Sequence, residues 1–545
     1  MRKIYLLILQ RRLLLFLIGV TISTAFSCSD DENHEPNKQL PVSRVSIIPL
    51  PESIVHGRYN IPIPKDATVS ESINGIGAEL LSETLTEIVG SAGSADNENA
   101  FIRIYSDNSL NEEEYRITVK DDGCSIHYKT QIGLLWGIQT IRQILLQNSV
   151  AEGSKSIPLL TISDAPKKAW RGFHIDVARH MLTLDYLKEV VDILSFYKIN
   201  KLQMHLTDDQ GWRIEIKKYP KLTTVGGWRE FDEYDKRCIE KSKTDASYTI
   251  DSRFVRNGNE YGGYYTQEEL KDFINYATAR GVDVIPEIDM PGHFSAAIRT
   301  FPHLSCTGEA GWGHEFSYPV CAGKTENYQF FKDIINEVAT LFPSNYFHVG
   351  ADEVEKDNWR KCPDCQKLIR DQGLHDTDGL QNYFIKEMAD YAKNSKNKKV
   401  MAWDDAFIAK DPQEFLYTYW RDWKSDQPAK ISQQGFPMVF MEWGRFYFSA
   451  DPSDHLLQSL YEFEFEPQFK GIVKEKVIGF QACVWTEMIP NETKFEHHVF
   501  PSLQAFTELA WGSQREWTSF TSRLPWHLRW LKQMGYESRT PGFIQ

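Results

Sequence analysis

From about residue 169 onward, short apolar stretches alternate with amphipathic stretches of helical periodicity. The first of these, "LDYLKEVVDILSFYK", places Leu187, Val190, Val191 and Leu194 at i, i+3, i+4 and i+7, which is one face of a helix. In a later stretch, "YTQEELKDFINYATARG", Thr266 is followed three residues later by Glu269, which is the spacing of a capping box, and the stretch ends at Gly281. The pattern predicts strand–helix units.

Eight short apolar stretches are candidate strands, and convincing helices separate most of them. They are "GFHIDVA", "NKLQMHLTD", "VDVIPEIDM", "YFHVG", "KKVMAWDD", "EFLYTYW", "PMVFMEW" and "VIGFQACVW". Near-continuous apolar strands alternating with helices favour a parallel sheet, and eight units favour an α/β fold of the (β/α)8 TIM-barrel type. A doubly wound open sheet is the alternative, although no glycine-rich phosphate loop follows the first strand.

The preceding region has a mixed pattern. "EEYRITVKDDGCSIHYKT" reads as two strands joined by an Asp-Asp-Gly turn, and "QIGLLWGIQTIRQILLQ" reads as a helix. We therefore predict a small α+β domain over residues 41–165, followed by the barrel with a C-terminal helix over residues 166–545.

The first 28 residues have the features of a targeting segment. Basic residues are followed by an apolar stretch that is short for a membrane span and then by Cys28, a position that resembles the acylated cysteine of a bacterial lipoprotein signal. A cleaved secretory signal or an anchor helix is the alternative. Residues 29–40 are polar and form a predicted tether, whose acidic start resembles the export tag of surface lipoproteins in the Bacteroides group. We expect a lipid-anchored outer-membrane protein, surface-exposed or facing the periplasm.

Charge and aromatic content narrow the range of partners. Asp plus Glu number 75 against 61 Lys plus Arg, so the formal net charge of −14 argues against a nucleic-acid partner. The chain has 15 tryptophans, and several fall in loop-like segments, where an exposed indole suits the apolar face of a sugar.

The cysteines permit more than one interpretation. Cys306 and Cys321 flank one long loop and are a plausible disulfide pair in an exported protein. Cys362 and Cys365 form an isolated CxxC, and because no second ligand pair is evident, a local disulfide or two free thiols are favoured over zinc. We expect no metal and no cofactor.

Acidic and tryptophan side chains recur at the carboxyl ends of the predicted strands, where barrel enzymes place their active sites. They are Asp208, Asp209, Trp212, Glu287, Asp289, His293, Asp352, Glu353, Trp403, Trp420, Trp485 and Glu487. A single strand-end aspartate usually caps the next helix. Recurrence of acids and tryptophans at several ends instead indicates a sugar site, where rings stack on C–H faces and carboxylates bind hydroxyls and transfer protons.

Several motifs resemble those of the family 20 glycoside hydrolases, the β-N-acetylhexosaminidases. They are "WRGFHIDVARH", "MHLTDDQGWRIEIKKYPKLT", "GVDVIPEIDMPGHFSAA", "YFHVGADE" and "VIGFQACVWTE", in the family's order from about residue 170 to residue 487. The "EEYRITV" to "GLLWGIQTIRQIL" region also resembles the small α+β domain that precedes the barrel in these enzymes.

The resemblance implies a mechanism. Two adjacent carboxylates fit poorly as an acid and a nucleophile on opposite sides of one ring, and this family is a known substrate-assisted exception to the two-carboxylate rule. It implies that Glu353 protonates the leaving oxygen and later deprotonates water. The substrate's 2-acetamido oxygen attacks the anomeric carbon, and Asp352 holds the acetamido N–H. Asp352 is expected to stay ionised.

The resemblance also implies substrate-binding residues, namely Arg171, Trp403, Trp420, Tyr447, Trp485 and Glu487, with Asp208, Asp289 and His293 as supporting residues. Arg171 does not fit the barrel pattern, because it does not lie at the carboxyl end of a strand. The family has Gly-Gly before Asp-Glu, where this chain has Gly350-Ala351. It also has Tyr-x-Asp where this chain has Tyr447 and Ser449, with Asp451 as a possible substitute.

The predicted function is therefore an exo-β-N-acetylhexosaminidase that removes terminal β-linked GlcNAc or GalNAc from glycans. The alternatives are a family 20 enzyme that releases disaccharides or acts on sulfated GlcNAc, and a non-catalytic glycan-binding lipoprotein. The predicted partners are a glycan ending in N-acetylhexosamine and, through the lipid anchor, a membrane.

Overall fold

The computed structural model describes residues 45–149, 155–407 and 415–544, which divide into two compact units. The first unit contains residues 45–165 of the described chain together with Thr518–Thr540, and the second contains Pro166–Trp517. The predicted signal segment, Cys28 and the tether lie outside the described residues. Within the described residues no helix is long and apolar enough to cross a bilayer.

The first unit contains one seven-stranded sheet with the strand order β1-β7-β5-β6-β4-β2-β3. The strands are β1 Ser53–Pro62, β2 Thr68–Ser70, β3 Gly93–Ala95, β4 Ile102–Ser106, β5 Tyr115–Lys120, β6 Gly123–Tyr128 and β7 Ser156–Asp164. β5 and β6 pair antiparallel in register from Tyr115↔Tyr128 to Lys120↔Gly123, which confirms the predicted hairpin. Helices Ile76–Val89 and Gln131–Leu146 pack together, and the second also packs on β5 and β6.

Helix Trp517–Gln533 differs from the prediction, which placed the C-terminal helix with the barrel. From Thr518 onward it belongs to the first unit. One reason is visible at Arg523, whose Nη1 donates to the carbonyl of Ile47 at 2.6 Å in a buried position. The apolar periodicity of this helix shows that it packs on a core, and it carries no information about which core.

The second unit is a closed barrel of eight parallel strands. They are β8 Trp170–Asp176, β9 Lys201–His205, β15 Asp283–Glu287, β16 Tyr346–His348, β17 Lys399–Trp403, β18 Leu416–Tyr419, β19 Met438–Phe440 and β20 Val477–Val484. The last strand pairs with the first over Gly479↔Trp170 to Val484↔Ile175. This closure confirms the TIM-barrel prediction and excludes the open doubly wound sheet. All seven residues of β8 are buried, as expected for a strand enclosed on both faces.

Helices surround the strands, and short strands lie in one long loop region. The main helices are Leu184–Phe196, Glu233–Ser242, Gln267–Ala279, Tyr328–Leu341, Pro363–Asp371, Thr377–Lys396, Asp454–Tyr461, Glu492–Val499 and Ser502–Trp511. The short strands are β10 Thr207–Asp208, β11 Gly211–Trp212, β12 Trp228–Glu230, β13 Val255–Arg256 and β14 Glu260–Gly262. The predicted capping box is present, since the Thr266 hydroxyl accepts from the Glu269 N–H while the Glu269 carboxylate accepts from the Thr266 N–H.

Candidate active site

A cavity of about 240 Å³ lies among the segments that follow the barrel strands. It is lined by Arg179, Asp208, His293, Asp352, Glu353, Trp403, Trp420, Trp443, Tyr447, Ser449, Trp485 and Glu487. All eight barrel strands lead into these residues, because each residue ends or follows β8, β9 or one of β15 to β20. The carboxyl ends of the strands thus converge as barrel geometry requires.

The turn after β16 sets the position of the two adjacent carboxylates. Gly350 has φ +66°, and a Cβ there would lie 1.8 Å from Oδ1 of Asp289, so only glycine fits. Ala351 and Glu353 also have positive φ, at +78° and +50°. The Ala351 N–H donates to Asp289 Oδ1 at 3.1 Å, which stabilises the turn from the neighbouring strand. Alanine in the place of the family's second glycine is accommodated, at the conformational cost of a left-handed non-glycine residue.

Asp352 is buried, with 7% of its surface exposed, and its Oδ1 forms no hydrogen bond within the described residues. Burial raises the pKa of Asp352 well above its ordinary value, and the negative charge of Asp289 raises it further. The expectation of an Asp352 that is ionised throughout therefore needs correction. A cation that forms beside this carboxyl would lower its pKa again, because opposite charges favour each other's charged form.

His293 connects Glu353 to two aspartates on another loop. Its Nε2 lies 3.3 Å from Glu353 Oε2, and its Nδ1 lies 3.3 Å from Asp208 Oδ1 and 3.2 Å from Asp209 Oδ2. Burial alone would lower the pKa of His293, but the charge of Asp208 and hydrogen bonds to all three carboxylates raise it well above its ordinary value. His293 thus connects Glu353 to these two aspartates, and its supporting role stays a prediction.

Asp208 lines the cavity and is held ionised. Although burial would raise its pKa, Arg179 and His293 hold the pKa of Asp208 well below its usual range. His205 Nε2 also lies 2.8 Å from Asp208 Oδ2. Asp289, by contrast, lies behind the pair, and burial raises its pKa to about 7.

Arg171 does not line the cavity, and the prediction that it binds substrate is wrong. It lies near the amino end of β8, roughly 16 Å of extended strand from the carboxyl end at Asp176. Its Nε donates to the Lys198 carbonyl at 2.9 Å and its Nη1 to the Lys168 carbonyl at 2.8 Å, and its guanidinium lies over the ring of Trp511. Arg171 therefore stabilises the opposite end of the barrel.

Arg179 is the arginine of the cavity, and the sequence analysis missed it. Its Nη2 lies 2.8 Å from Asp208 Oδ2, and its Nη1 lies 3.4 Å from Asp176 Oδ2 and 3.9 Å from Glu487 Oε1. The guanidinium also lies 5.0 Å from the ring centroid of Trp485. The sequence did contain a signal for Arg179. This residue lies in "DVARH", just after the carboxyl end of the first barrel strand, whereas Arg171 lies near the start of that strand.

The aromatic residues form the walls of the cavity. Trp403 is anchored by Nε1 donating to Glu287 Oε1 at 2.8 Å, and Trp420 by Nε1 donating to Asp405 Oδ2 at 2.8 Å. The rings of Trp420 and Tyr447 are nearly parallel, at 17°, with centroids 6.4 Å apart. These anchors fix the ring planes against which a sugar can stack.

Tyr447 and Trp485 supply polar groups among these rings. Burial raises the pKa of Tyr447 well above its ordinary value, so its hydroxyl remains a hydrogen-bond donor. Trp485 Nε1 is buried and forms no hydrogen bond within the described residues. Both the Tyr447 hydroxyl and the Trp485 Nε1–H can donate a hydrogen bond to a carbonyl or hydroxyl oxygen of a ligand in the cavity.

Ser449 lines the cavity, and its Oγ accepts from the Trp485 backbone N–H at 2.7 Å. Asp451, the suggested substitute for the family aspartate, is exposed and is absent from the described residues that line the cavity. Trp212 is also outside it, since it is buried and its Nε1 donates to the carbonyl of Ile214. Trp443, which the sequence analysis did not select, is 55% exposed at the cavity.

Comparison with known proteins agrees with this geometry. Residues 169–514 match "Glycosyl hydrolase family 20, catalytic domain", and residues 44–165 match "Glycosyl hydrolase family 20, domain 2". The chain belongs to glycosyl hydrolase family 20. The predictions of a family 20 hydrolase and of a barrel preceded by a small α+β domain are thereby confirmed.

Several known proteins are similar to this chain along most of its length. A beta-hexosaminidase of Porphyromonas gingivalis is 32% identical over 88% of this chain, which spans 62% of that relative's length. A beta-hexosaminidase of Akkermansia muciniphila is 31% identical, and the match covers 80% of this chain and 87% of the length of that relative. An exo beta-N-acetylglucosaminidase of Vibrio harveyi, solved in complex with N-acetylglucosamine, has a TM-score of 0.79 at 28% identity, over 94% of this chain and 81% of that one.

Proposed function

We propose that the protein is an exo-acting β-N-acetylhexosaminidase that removes one terminal β-linked GlcNAc or GalNAc at a time. One observation carries the proposal: a buried carboxyl with an unpaired oxygen, Asp352, adjoins a partly exposed one, Glu353, in an aromatic-lined cavity of about 240 Å³. A cavity smaller than a drug-sized ligand site suits a single sugar ring. Its size therefore favours release of single residues from a chain end.

The proposed reaction proceeds in two steps with retention of configuration. In the first, the acetamido oxygen of the substrate attacks the anomeric carbon while the bond to the leaving oxygen breaks, and that oxygen takes a proton from Glu353. In the second, Glu353 takes a proton from water, which attacks the anomeric carbon and opens the oxazolinium ring. Asp352 accepts a hydrogen bond from the acetamido N–H in both steps, and its ionised form stabilises the positive charge that develops on the oxazolinium ring.

After burial, the charge of Asp289 is the next cause of the raised pKa of Asp352, and it therefore contributes to the pH at which Asp352 becomes active. Because its negative charge raises the pKa of Asp352, the Asp289→Asn variant should lower that pKa. If ionised Asp352 is the active form, activity is lost as pH falls through its pKa. The acid limb of the kcat/KM profile should therefore move to lower pH in this variant. Asparagine keeps an oxygen to accept from the Ala351 N–H, so the turn should be preserved.

The control for this pH profile is Asp272→Asn, which removes an exposed carboxylate on the outer helix Gln267–Ala279. Its profile should match that of the unmodified protein. An acid limb that stays in place or moves to higher pH in Asp289→Asn would show that Asp289 does not control Asp352.

A second specificity, for 6-sulfated GlcNAc, is favoured by Ser449. The family pattern places a carboxylate there to contact a sugar hydroxyl, and this chain presents a neutral hydroxyl instead. A carboxylate would repel a sulfate group, and serine removes that repulsion. The remaining contacts of the cavity then decide between the sulfated and the plain sugar.

Initial rates on a small panel test these proposals. The panel contains chromogenic β-GlcNAc, β-GalNAc and 6-sulfated β-GlcNAc substrates together with chitobiose and longer chitin oligomers. We expect turnover on at least one hexosaminide and, from each longer oligomer, a monosaccharide and an oligomer shorter by one residue as the initial products. A disaccharide among the initial products from chitotetraose or longer oligomers would contradict the exo-acting assignment, because removal of one residue from a tetramer leaves a trimer. No turnover on any member would favour the non-catalytic glycan-binding alternative.

We further propose that the protein is an outer-membrane lipoprotein acylated at Cys28. The basic and apolar start, the cysteine and the polar tether support this proposal. On fractionation of the producing cells, the full chain should sediment with the outer membrane and enter the detergent phase. Recovery of the Cys28→Ala variant in the same fractions would contradict acylation at this residue.

A further inference from the structure

Four cysteines from the two segments that follow β15 and β16 converge on one point. The sulfur atoms of Cys306, Cys321, Cys362 and Cys365 all lie within 4.8 Å of one another. Three pairs have Sγ–Sγ distances of 3.9 Å for Cys306–Cys365 and 3.6 Å for both Cys321–Cys362 and Cys321–Cys365. The four form no disulfide bond with one another or with the other described cysteines. The expected Cys306–Cys321 disulfide is therefore absent, and the CxxC motif does have a second pair.

We propose that these four thiolates bind one Zn²⁺ ion in a closed tetrahedral site. With Zn–S bonds of about 2.3 Å, the sulfur atoms of a tetrahedral site with four cysteine ligands lie about 3.8 Å apart. The observed separations match this value, whereas a disulfide requires about 2.0 Å. Four sulfur ligands without a carboxylate or an open position are typical of a structural site rather than a catalytic one.

The surroundings of the cluster fit such a site. Cys321, Cys362 and Cys365 are buried, and Cys306 is partly exposed. Gly323 allows the first loop to approach the second, since a Cβ there would lie 2.2 Å from the Cys365 nitrogen. Lys324 Nζ donates to the Ser305 carbonyl at 2.8 Å, which places a positive charge next to the segment of Cys306. A cation there complements the net negative charge that Zn²⁺ and four thiolates carry together.

Binding requires no oxidant or reductant. Four S–H groups lose their protons to solvent, four Zn–S bonds form, and zinc keeps its oxidation state. Affinity should therefore fall as pH falls, since protons compete with the metal for the sulfur atoms.

The site would tie together the two loops that carry the catalytic groups. Cys306 and Cys321 lie in the loop after β15, which also carries Asp289 and His293, while Cys362 and Cys365 lie beyond Asp352 and Glu353 after β16. Between them, Trp359 Nε1 donates to the Val320 carbonyl at 2.8 Å, and the Val320 N–H donates to the Pro291 carbonyl at 3.0 Å. Zinc would thus brace the segment that holds His293 beside Glu353, without contact with substrate.

Metal analysis of the full-length protein, purified in detergent without chelators or metal-affinity resin, tests the site. We expect about one zinc per chain by mass spectrometry of the elements. The variants Cys362→Ser and Cys365→Ser should lose the zinc and melt at lower temperature, while Cys238→Ser, which changes a buried thiol outside the cluster, should retain it. A zinc-free protein, or full zinc in both cluster variants, would overturn the proposal.

Two measurements on the unmodified protein keep the test decisive if the variants fail to fold. Replacement of the metal by Co²⁺ should give the intense visible absorption of a tetrahedral cobalt thiolate. Thiol titration of the denatured chain with chelator should find all four cluster cysteines reduced. A titration that finds four fewer thiols would indicate two disulfides, and iron in place of zinc would overturn the choice of metal.

Discussion

Replacement of Glu353 by glutamine should lower kcat on a β-N-acetylglucosaminide by about 10²–10⁴-fold, since that is the usual contribution of one proton-transfer group. Glutamine has the same shape but cannot give a proton to the leaving oxygen or take one from water. Asp352→Asn should also lower kcat severely, because an amide cannot supply the negative charge that stabilises the developing cation. Initial rates of folded variants, with melting temperatures near that of the unmodified protein, provide the measurement.

The matched control for this loss is Glu315→Gln, an exposed glutamate in a neighbouring cavity that Glu353 also borders. It changes the same functional group without touching the acid, so its rate should stay within a few-fold of that of the unmodified protein. A Glu353→Gln variant that retains a comparable rate would remove Glu353 from its role as the acid.

The second large effect separates the two arginines of "WRGFHIDVARH". Arg179→Lys keeps a positive charge but loses the planar fork that contacts Asp208, Asp176 and Glu487. A hydrogen bond between charged groups is worth about 1.5–3 kcal/mol, so the loss of this geometry in the cavity should lower kcat/KM about 10- to 100-fold. Arg171→Lys should instead lower the melting temperature with little change in KM, because its partners are backbone carbonyls at the other end of the barrel.

Steady-state kinetics and thermal melts of both variants distinguish these roles. The opposite result would be a raised KM in Arg171→Lys and an unchanged KM in Arg179→Lys. It would support Arg171 as the substrate-binding arginine and contradict that role for Arg179.

Most of the barrel could be predicted because its signals are local. Each strand is a short apolar stretch, each helix has its own apolar face, and the Thr266–Glu269 capping box needs only residues three apart. The adjacent Asp352 and Glu353 follow directly from a strand end, and the barrel rule then places them beside Trp403, Trp420 and Trp485. The local sequence pattern and the rule for barrel folds were together sufficient to predict that these residues share one cavity.

The features that were missed depend on contacts between distant segments. Barrel active sites lie at the carboxyl ends of strands, and this rule argued against Arg171, but the resemblance to the family motif was given more weight. Arg179 lies in the same motif and also follows the carboxyl end of the first strand. The raised pKa of Asp352 depends on burial and on Asp289 from another strand, which no local pattern shows. The cysteine cluster was missed because Cys306 and Cys321 are 15 residues apart, which is not the spacing of a CxxC ligand pair, and because both are distant in sequence from Cys362 and Cys365.

In the proposed mechanism, the amide of the substrate itself attacks the anomeric carbon while Asp352 holds it. The most direct measurement compares kcat/KM on two chromogenic substrates with the same leaving group, a β-N-acetylglucosaminide and the β-glucoside that has a hydroxyl in place of the acetamide. We predict ready turnover of the first and no detectable enzymatic hydrolysis of the second. Comparable rates on both would contradict participation of the amide and, with it, the proposed role of Asp352.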